Sequence, residues 1–220
     1  MELWNMKIFL DTGDIEAIKK AYDTGLIDGV TTNPTHIAKT GMRFKDVVKE
    51  ICAIVPGPVS AEAVAEGADK LIVAAEDIAS IAPNVVVKIP MTPEGLKAVP
   101  VLETQKGIKT NVTMIFSSTQ AFLAMKAGAS FISIVLSRLD AFGNESYILV
   151  EDAAVIKANY VFPSEIIAGS VKTQNQVLNC LRAGIDIATV NPQLFWQLYK
   201  HPLTDSGLAE FAQDWESVPK

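Results

Sequence analysis

Apolar residues along this chain come in short runs, each followed by a stretch in which they recur at helical spacing. The runs are "KIFLD" from Lys7, "GVTTN" from Gly29, "PVSAE" from Pro58, "VVVKI" from Val85, "IKTNVT" from Ile108, "FISIVL" from Phe131, "EIIAGS" from Glu165 and "IDIATV" from Ile185. Their length and β-branched content predict strands. Between them, Phe44, Val47, Val48 and Ile51 stand at i, i+3, i+4 and i+7, as a helix covering a sheet requires. Leu71, Ala75 and Ile78 repeat the pattern, as do Leu149, Ala153, Ile156 and Tyr160, and then Leu194, Phe195 and Leu198.

Strands that alternate with helices predict a parallel sheet. Eight such units without a Gly-rich dinucleotide fingerprint favour closure into a barrel over an open doubly wound sheet. The expected fold is therefore α/β, a single (β/α)8 TIM barrel over residues 1–220. Pro100 falls inside the fourth helical segment, which should be kinked or short. After the eighth unit, "DSGLAEFAQDW" places Leu208, Phe211 and Trp215 on one helical face. By pattern alone this extra C-terminal helix, residues 204–220, closes the bottom of its own barrel; the other reading is an arm for a neighbouring subunit.

Composition narrows the class. Of 220 residues, 49% are hydrophobic and 20% charged, enough apolar material for a large core. A net charge of −6 argues against a nucleic-acid surface. Cys52 and Cys180 lie far apart, outside any CxxC or Cys/His metal spacing, as in a reduced cytoplasmic protein. The opening "MELWNMKIFLD" lacks a basic n-region and a small-residue cleavage site, so no signal peptide is expected, and Met6 is an alternative start. No apolar run approaches a membrane span.

The strand ends carry the chemistry. In a parallel barrel the active site forms at their C-terminal ends. Strand 1 ends in Asp11, strand 2 in Thr31, Thr32 and Asn33, and strand 3 in Glu62. Strand 4 carries Lys88, strand 5 Asn111 and Thr113, strand 6 is followed by Arg138 and Asp140, and strand 7 by Ser170 and Lys172. Each taken alone has a plain explanation: Asp11 as a turn or cap, "TTNP" as a turn, Ser170 and Lys172 as a solvated loop. Lys88 is harder to explain that way, although taken alone it fits a lysine snorkelling from the strand end as well as a catalytic one. It sits within "NVVVKIPM", and alternation puts it on the face of Val86 and Pro90, the barrel interior. His36 and His201 have no partners at catalytic or metal spacing and read as cap or surface residues.

A lysine in a poorly solvated barrel with two carboxylates on other strands points to Schiff-base catalysis. Desolvation favours a neutral, nucleophilic amine. Such an amine condenses with a ketone to an iminium, an electron sink for breaking or making the adjacent C–C bond. The cycle needs one group to work on a substrate hydroxyl and another to move protons as water leaves. Asp11 and Glu62 fit these tasks, Thr113 suits a relay water, and Arg138, Ser170 and Lys172 suit a substrate phosphate.

"KIFLDTGDIEAIKKA", "GLIDGVTTNPTHIAKTG", "GPVSAEA", "VVVKIPMTPEGLKA", "GIKTNVTMIFSSTQAFLAMKAGASFIS", "SRLDAFG", "AGSVKT" and "HPLTDSGLAEFAQDW" together resemble the short branch of the transaldolase family, which includes the fructose-6-phosphate aldolases. The resemblance covers nearly the whole chain. It implies that Lys88 is the Schiff-base lysine, Asp11 the acid/base for the C4 hydroxyl, and Glu62 with Thr113 the holders of the relay water. Asn33 and Asn111 match residues that bind the dihydroxyacetone portion, and Thr31 and Ser133 join the substrate site. Arg138, Ser170 and Lys172 match the phosphate-binding group. The implied reaction moves a dihydroxyacetone unit from sedoheptulose 7-phosphate to glyceraldehyde 3-phosphate, giving erythrose 4-phosphate and fructose 6-phosphate in the pentose phosphate pathway. No metal or organic cofactor is implied. A homo-oligomer is, pentamer or decamer, with the C-terminal helix on a neighbour.

Two positions separate the branches. Glu62 stands where the aldolases carry Gln, which points to transaldolase. The family's "SPFVGR"-type segment reads "SIVLSR" at residues 133–138, with Ile134 for Pro and Val135 for the aromatic residue. That departure removes a wall of the pocket and leaves an aldolase without an acceptor sugar as an alternative. A sugar-phosphate-binding barrel without catalysis is a second alternative, against which the complete set of Asp11, Glu62, Lys88 and Thr113 argues.

Overall fold

The computed structural model describes residues 6–219; the segment "MELWN", part of the opening stretch considered above, lies outside the described residues. Eight strands pair in sequence order, all parallel, and close into a barrel. They are β1 (Lys7–Asp11), β2 (Gly29–Thr31), β3 (Val59–Glu62), β4 (Val85–Pro90), β5 (Thr110–Ile115), β6 (Phe131–Val135), β7 (Glu165–Val171) and β8 (Ile187–Val190). Helices α1 (Ile15–Tyr22), α2 (Pro34–Ala38), α3 (Phe44–Ile54), α4 (Ala68–Ala79), α5 (Pro93–Pro100), α6 (Ser118–Lys126), α7 (Leu136–Ala141), α8 (Ser146–Tyr160), α9 (Gln174–Ala183), α10 (Pro192–Gln197) and α11 (Pro202–Ser217) follow them. The (β/α)8 barrel and the additional C-terminal helix are those that the hydrophobic pattern predicts. Among the described residues no helix is long and apolar enough to cross a membrane.

Alternation along the strands sorts side chains into two shells. Leu10, Val30, Val87, Ile89, Val112, Ile132, Ile134 and Ala168 face outward and join the helices in one continuous core. Val47, Val48 and Ile51 of α3 and Leu71, Ala75 and Ile78 of α4 bury against them, as their spacing requires. Inside the barrel, Phe9, Val86, Phe131, Ile167 and Ile187 form a separate apolar cluster. Room for the Phe9 ring comes from Gly29, where an added Cβ would lie 2.6 Å from both the ring and the Pro58 carbonyl. The barrel is thus plugged below its polar rim.

The loops that leave the strands turn quickly into helices because their first residues are caps. Asp14, Thr92, Ser117, Thr173 and Asn191 each accept a backbone N–H three residues on. In β2 the strand stops at Thr31, earlier than "GVTTN" suggests, because Asn33 caps α2 and Pro34 occupies its first turn. Pro100, which lacks a backbone N–H, ends α5, and a π-helical turn over Val101–Gln105 follows it. That turn aims Glu103 at the starts of two strands. Its carboxylate accepts Thr110 N–H and Oγ1–H at 2.7 Å and Ser130 N–H and Oγ–H at 2.8 Å.

Two expectations fail. Tyr160 is 67% exposed instead of covering the sheet; it lies at the end of α8, past Leu149 and Ala153, and packs on Phe122 and Phe162. The helix α11 does not close its own barrel. None of its residues is buried, and Leu208, Phe211 and Trp215 are 62%, 70% and 71% exposed. Its apolar stripe finds no partner within this chain's described core.

The internal plug gives a stability test. Phe9 is fully buried, so Phe9→Ala should lower the unfolding free energy by about 3–5 kcal/mol. Urea titration at fixed protein concentration should show a lower midpoint with an unchanged slope.

Candidate active site

At the C-terminal mouth of the barrel a cavity of about 510 Å³ opens above the apolar plug. Asp11, Thr31, Asn33, Glu62, Lys88, Thr113, Ser133, Arg138, Ser170 and Lys172 all line it. Asn111 does not reach its surface. Its side chain is fully buried, donating to Ser60 Oγ at 3.2 Å and accepting from Ser133 Oγ at 2.8 Å. It therefore holds the Ser133 hydroxyl, which does line the cavity.

Strand register brings the two central ionisable groups together. Glu62 on β3 pairs in register with Lys88 on β4, so both project inward at one level. Glu62 Oε2 lies 3.6 Å from Lys88 Nζ, and the amine also donates to the Thr32 carbonyl at 3.2 Å. Lys88's side chain is only 12% exposed. The amine thus has few water neighbours and one carboxylate, in the setting its "VVVKIP" context suggests.

Asp11 is held from two sides. Thr31 Oγ1 donates to Asp11 Oδ1 at 2.9 Å, and Thr31 and Thr189 hydroxyls share a 2.6 Å hydrogen bond. His36 approaches from the other side, its Nδ1 3.6 Å from Asp11 Oδ1. The expectation that His36 is only a cap or surface residue is corrected: it lines the cavity. The Asn33 Oδ1 accepts the His36 backbone N–H at 2.9 Å, which orients the amide so that Nδ2 points to His36 Nδ1 at 3.2 Å. The same Nδ2 lies 3.5 Å from His36 Nε2, so the amide sits against the ring with both nitrogens in reach. Burial is the main cause that holds His36 below the usual imidazole range. Asp11 opposes it, while Lys39, Lys88 and Lys172 reinforce it.

The rim is shaped by two bulges. The β5–β6 register shifts between Val112 and Ile115, with Met114 at φ 64°, and the β7–β8 register shifts between Ala168 and Val171, with Ser170 at φ 55°. Both residues line the cavity, so left-handed backbone that non-glycine residues rarely adopt occurs where the site is built. Lys39, Arg138 and Lys172 give the mouth a cationic edge fed by three different elements. Anions of the phosphate type suit that edge.

Thr35, His36, Lys39, Met114, Gly169 and Thr189 are among the lining residues that sequence reasoning missed. Thr189 was legible: alternation from Ile187, an inner plug residue, puts it on the inner face. His36 and Lys39 lie on α2, and only the helix's direction turns them toward the cavity. Cys52 and Cys180 are free thiols away from this site; burial pushes them up to about 11 and about 12.

This closed barrel, with an inward lysine beside a carboxylate at its mouth, has the architecture of a Schiff-base aldol enzyme. The chain matches the family model for transaldolase/fructose-6-phosphate aldolase over residues 8–220. It is 52% identical over 215 residues to a probable transaldolase of Geobacter sulfurreducens, covering 98% of this chain and 100% of that protein. A probable transaldolase 1 of Listeria monocytogenes has 52% identity with the same coverage. A probable transaldolase of Aquifex aeolicus has 54% identity, covering 98% of this chain and 99% of that one. The protein belongs to the transaldolase/fructose-6-phosphate aldolase family.

A pH test follows from His36. An unfolded histidine binds its proton near pH 6.5, whereas the folded site resists protonation. The unfolded state therefore holds more protons as pH falls through and below about 6.5, and stability drops with it. Urea midpoints measured from pH 7 to pH 5 should fall for the wild type, and His36→Gln should remove that part of the decline.

Proposed function

We propose that the protein is a transaldolase that moves a dihydroxyacetone unit between sugar phosphates through a Schiff base on Lys88. The observation that carries this reading is the inward Lys88 amine, 3.6 Å from Glu62 and sharing one cavity with Asp11. The amine attacks the donor's ketone carbon, and the resulting carbinolamine loses water to give an iminium. Glu62, with Thr113 holding a water, moves the protons of that step. Asp11 takes the proton from the hydroxyl on the carbon that leaves. The C–C bond then breaks, and its electron pair moves into the iminium to form an enamine. An aldehyde acceptor is attacked by that enamine, Asp11 returns the proton to the new alkoxide, and hydrolysis frees Lys88.

The polar layer suits the three-carbon fragment. Thr31, Asn33, Asn111 and Ser133 supply or orient hydroxyl and amide groups close to the amine, while Arg138, Ser170 and Lys172 serve the phosphate. Sedoheptulose 7-phosphate as donor and glyceraldehyde 3-phosphate as acceptor fit this division, with the pentose phosphate pathway of the cytoplasm as the setting. We further propose a homo-oligomer, pentamer or decamer, in which the stripe of Leu208, Phe211 and Trp215 packs on a neighbour. The 62–71% exposure of these three large apolar residues supports that reading.

Cleavage of fructose 6-phosphate without an acceptor is the second reading, because Val135 matches the aromatic residue of neither branch. Val135 is buried on the cavity wall, where an aromatic residue would occupy more of the space beside the amine.

The decisive experiment is borohydride reduction with fructose 6-phosphate followed by peptide mass mapping. An adduct on Lys88, absent in Lys88→Met, is expected; no adduct in the wild type would sink both enzyme readings. Erythrose 4-phosphate release that depends on adding glyceraldehyde 3-phosphate, with sedoheptulose 7-phosphate as donor, separates transfer from free cleavage. Glu62→Gln should cut kcat by about 10²–10⁴ while the phosphate site still binds. Val135→Phe should raise turnover on sedoheptulose 7-phosphate by about tenfold; unchanged turnover would mean the smaller residue costs nothing.

A further inference from the structure

Arg138 and Lys172 stand on different βα connections, the first in α7 after β6 and the second after β7. Both side chains are exposed and neither is oriented by an ion pair among the described residues. What orients their backbones lies behind them, in a side chain that does not touch the cavity. Gln176, in the first turn of α9, is 8% exposed and bonded on both sides. Its Oε1 accepts the Lys172 N–H at 2.7 Å and the Thr173 N–H at 3.3 Å. Its Nε2 donates to Asp140 Oδ2 at 2.6 Å and lies 3.5 Å from Ser137 Oγ.

The amide's orientation is settled by its partners. Backbone N–H groups need an acceptor, and the Asp140 carboxylate needs a donor, so no flipped amide satisfies both. A second tie runs in parallel, from the Ser137 hydroxyl to the Ser170 carbonyl, at the left-handed residue of the β7 bulge. Asp140 is itself fixed by the Ser146 N–H at 3.0 Å. The connection bearing Arg138 and the connection bearing Lys172 are therefore one hydrogen-bonded body whose centre is a buried neutral amide.

We propose that Gln176 is a positioning residue that locks these two connections into a single anion-binding unit and so sets the site's preference for phosphorylated over unphosphorylated sugars. The preference for sugars rests on the Schiff-base reading above; the binding unit itself does not. A carboxylate in place of this amide keeps the acceptor for Lys172 N–H but faces Asp140 at a distance where two anions repel. Gln176→Glu is thus a near-isosteric change that breaks the tie on one side only. Asp140→Asn restores it, because the asparagine amide donates where the glutamine did.

The test uses the full-length protein and four forms: wild type, Gln176→Glu, Asp140→Asn and the double variant. Calorimetric titration with inorganic phosphate reads the anion site alone. Gln176→Glu should weaken phosphate binding and raise KM for fructose 6-phosphate by about tenfold, the loss of one charge-assisted hydrogen bond's ordering. Its kcat, and borohydride trapping of unphosphorylated dihydroxyacetone on Lys88, should stay within twofold of wild type. The double variant should recover most of the phosphate affinity, and Asp140→Asn alone should show a smaller loss of about threefold. Phosphate affinity within twofold of wild type in Gln176→Glu, or an equal loss on dihydroxyacetone, would overturn the proposal. Should Gln176→Glu not fold, an undiminished phosphate affinity in Asp140→Asn overturns it instead. Absence of a Lys88 adduct in the wild type defeats the enzyme reading but leaves the phosphate titration to decide this one.

Discussion

Everything at the mouth of this barrel depends on the register in which β3 meets β4. Glu62 opposite Lys88 puts an acid and an amine at one height on the inner face, 3.6 Å apart. A slip of one residue would turn Lys88 outward among Val87, Ile89 and the helices, where an ammonium has neither partner nor water. The register is held by the period of the apolar residues themselves, since Val85, Val87 and Ile89 must face the helical shell. The same residues that stabilise the fold thereby deliver the functional pair.

The barrel divides its interior by height. Low down, Phe9, Val86, Phe131, Ile167 and Ile187 exclude water, and Gly29 leaves space for the largest of them. Between these and the charged groups, neutral polar side chains satisfy one another: Asn111 bonds Ser60 and Ser133, and Thr31 links Thr189 to Asp11. Ionisable side chains come last, at the open end. This order suits the physics of burial, since neutral polar groups tolerate depth when hydrogen-bonded and charges need a partner near solvent. Carboxylates at the opposite end have a structural task. Asp28 accepts the Ile8 N–H at 2.8 Å, Asp186 the Ile166 N–H at 2.7 Å, and Glu103 the Thr110 and Ser130 N–H groups. Acidic residues at the two ends of one barrel thus do different work, and their sequence contexts alone do not tell them apart.

Strain and order meet on the far side of the cavity. Met114 and Ser170 keep left-handed backbone at two bulges, and the connections after β6 and β7 are tied together by Ser137 and Gln176. Preorganised donors at such an edge bind an anion without first having to be ordered. Val135, on the neighbouring strand end, leaves the adjoining wall short. The cationic edge is therefore tied down by more hydrogen bonds than the wall at Val135.

The amino-acid sequence by itself determined the eight strands, the barrel and the inward face of Lys88, because period-2 and period-3.6 patterns are local properties of the chain. Asp11, Glu62, Thr113, Arg138 and Lys172 were legible as polar residues at or just after strand ends, and the family resemblance added their roles. Tertiary structure alone decided the neighbours. His36 reads as a cap until α2 folds back and sets it 3.6 Å from Asp11. Gln176 drew no notice in the sequence; the structure makes it both the last member of the α9 capping box and a bridge to Asp140 of α7. Asn111 reads as a rim residue but lies below the rim, and the C-terminal stripe reads as core but faces outward. Periodicity tells which face a residue takes; distances between residues on different elements exist only once the barrel has closed.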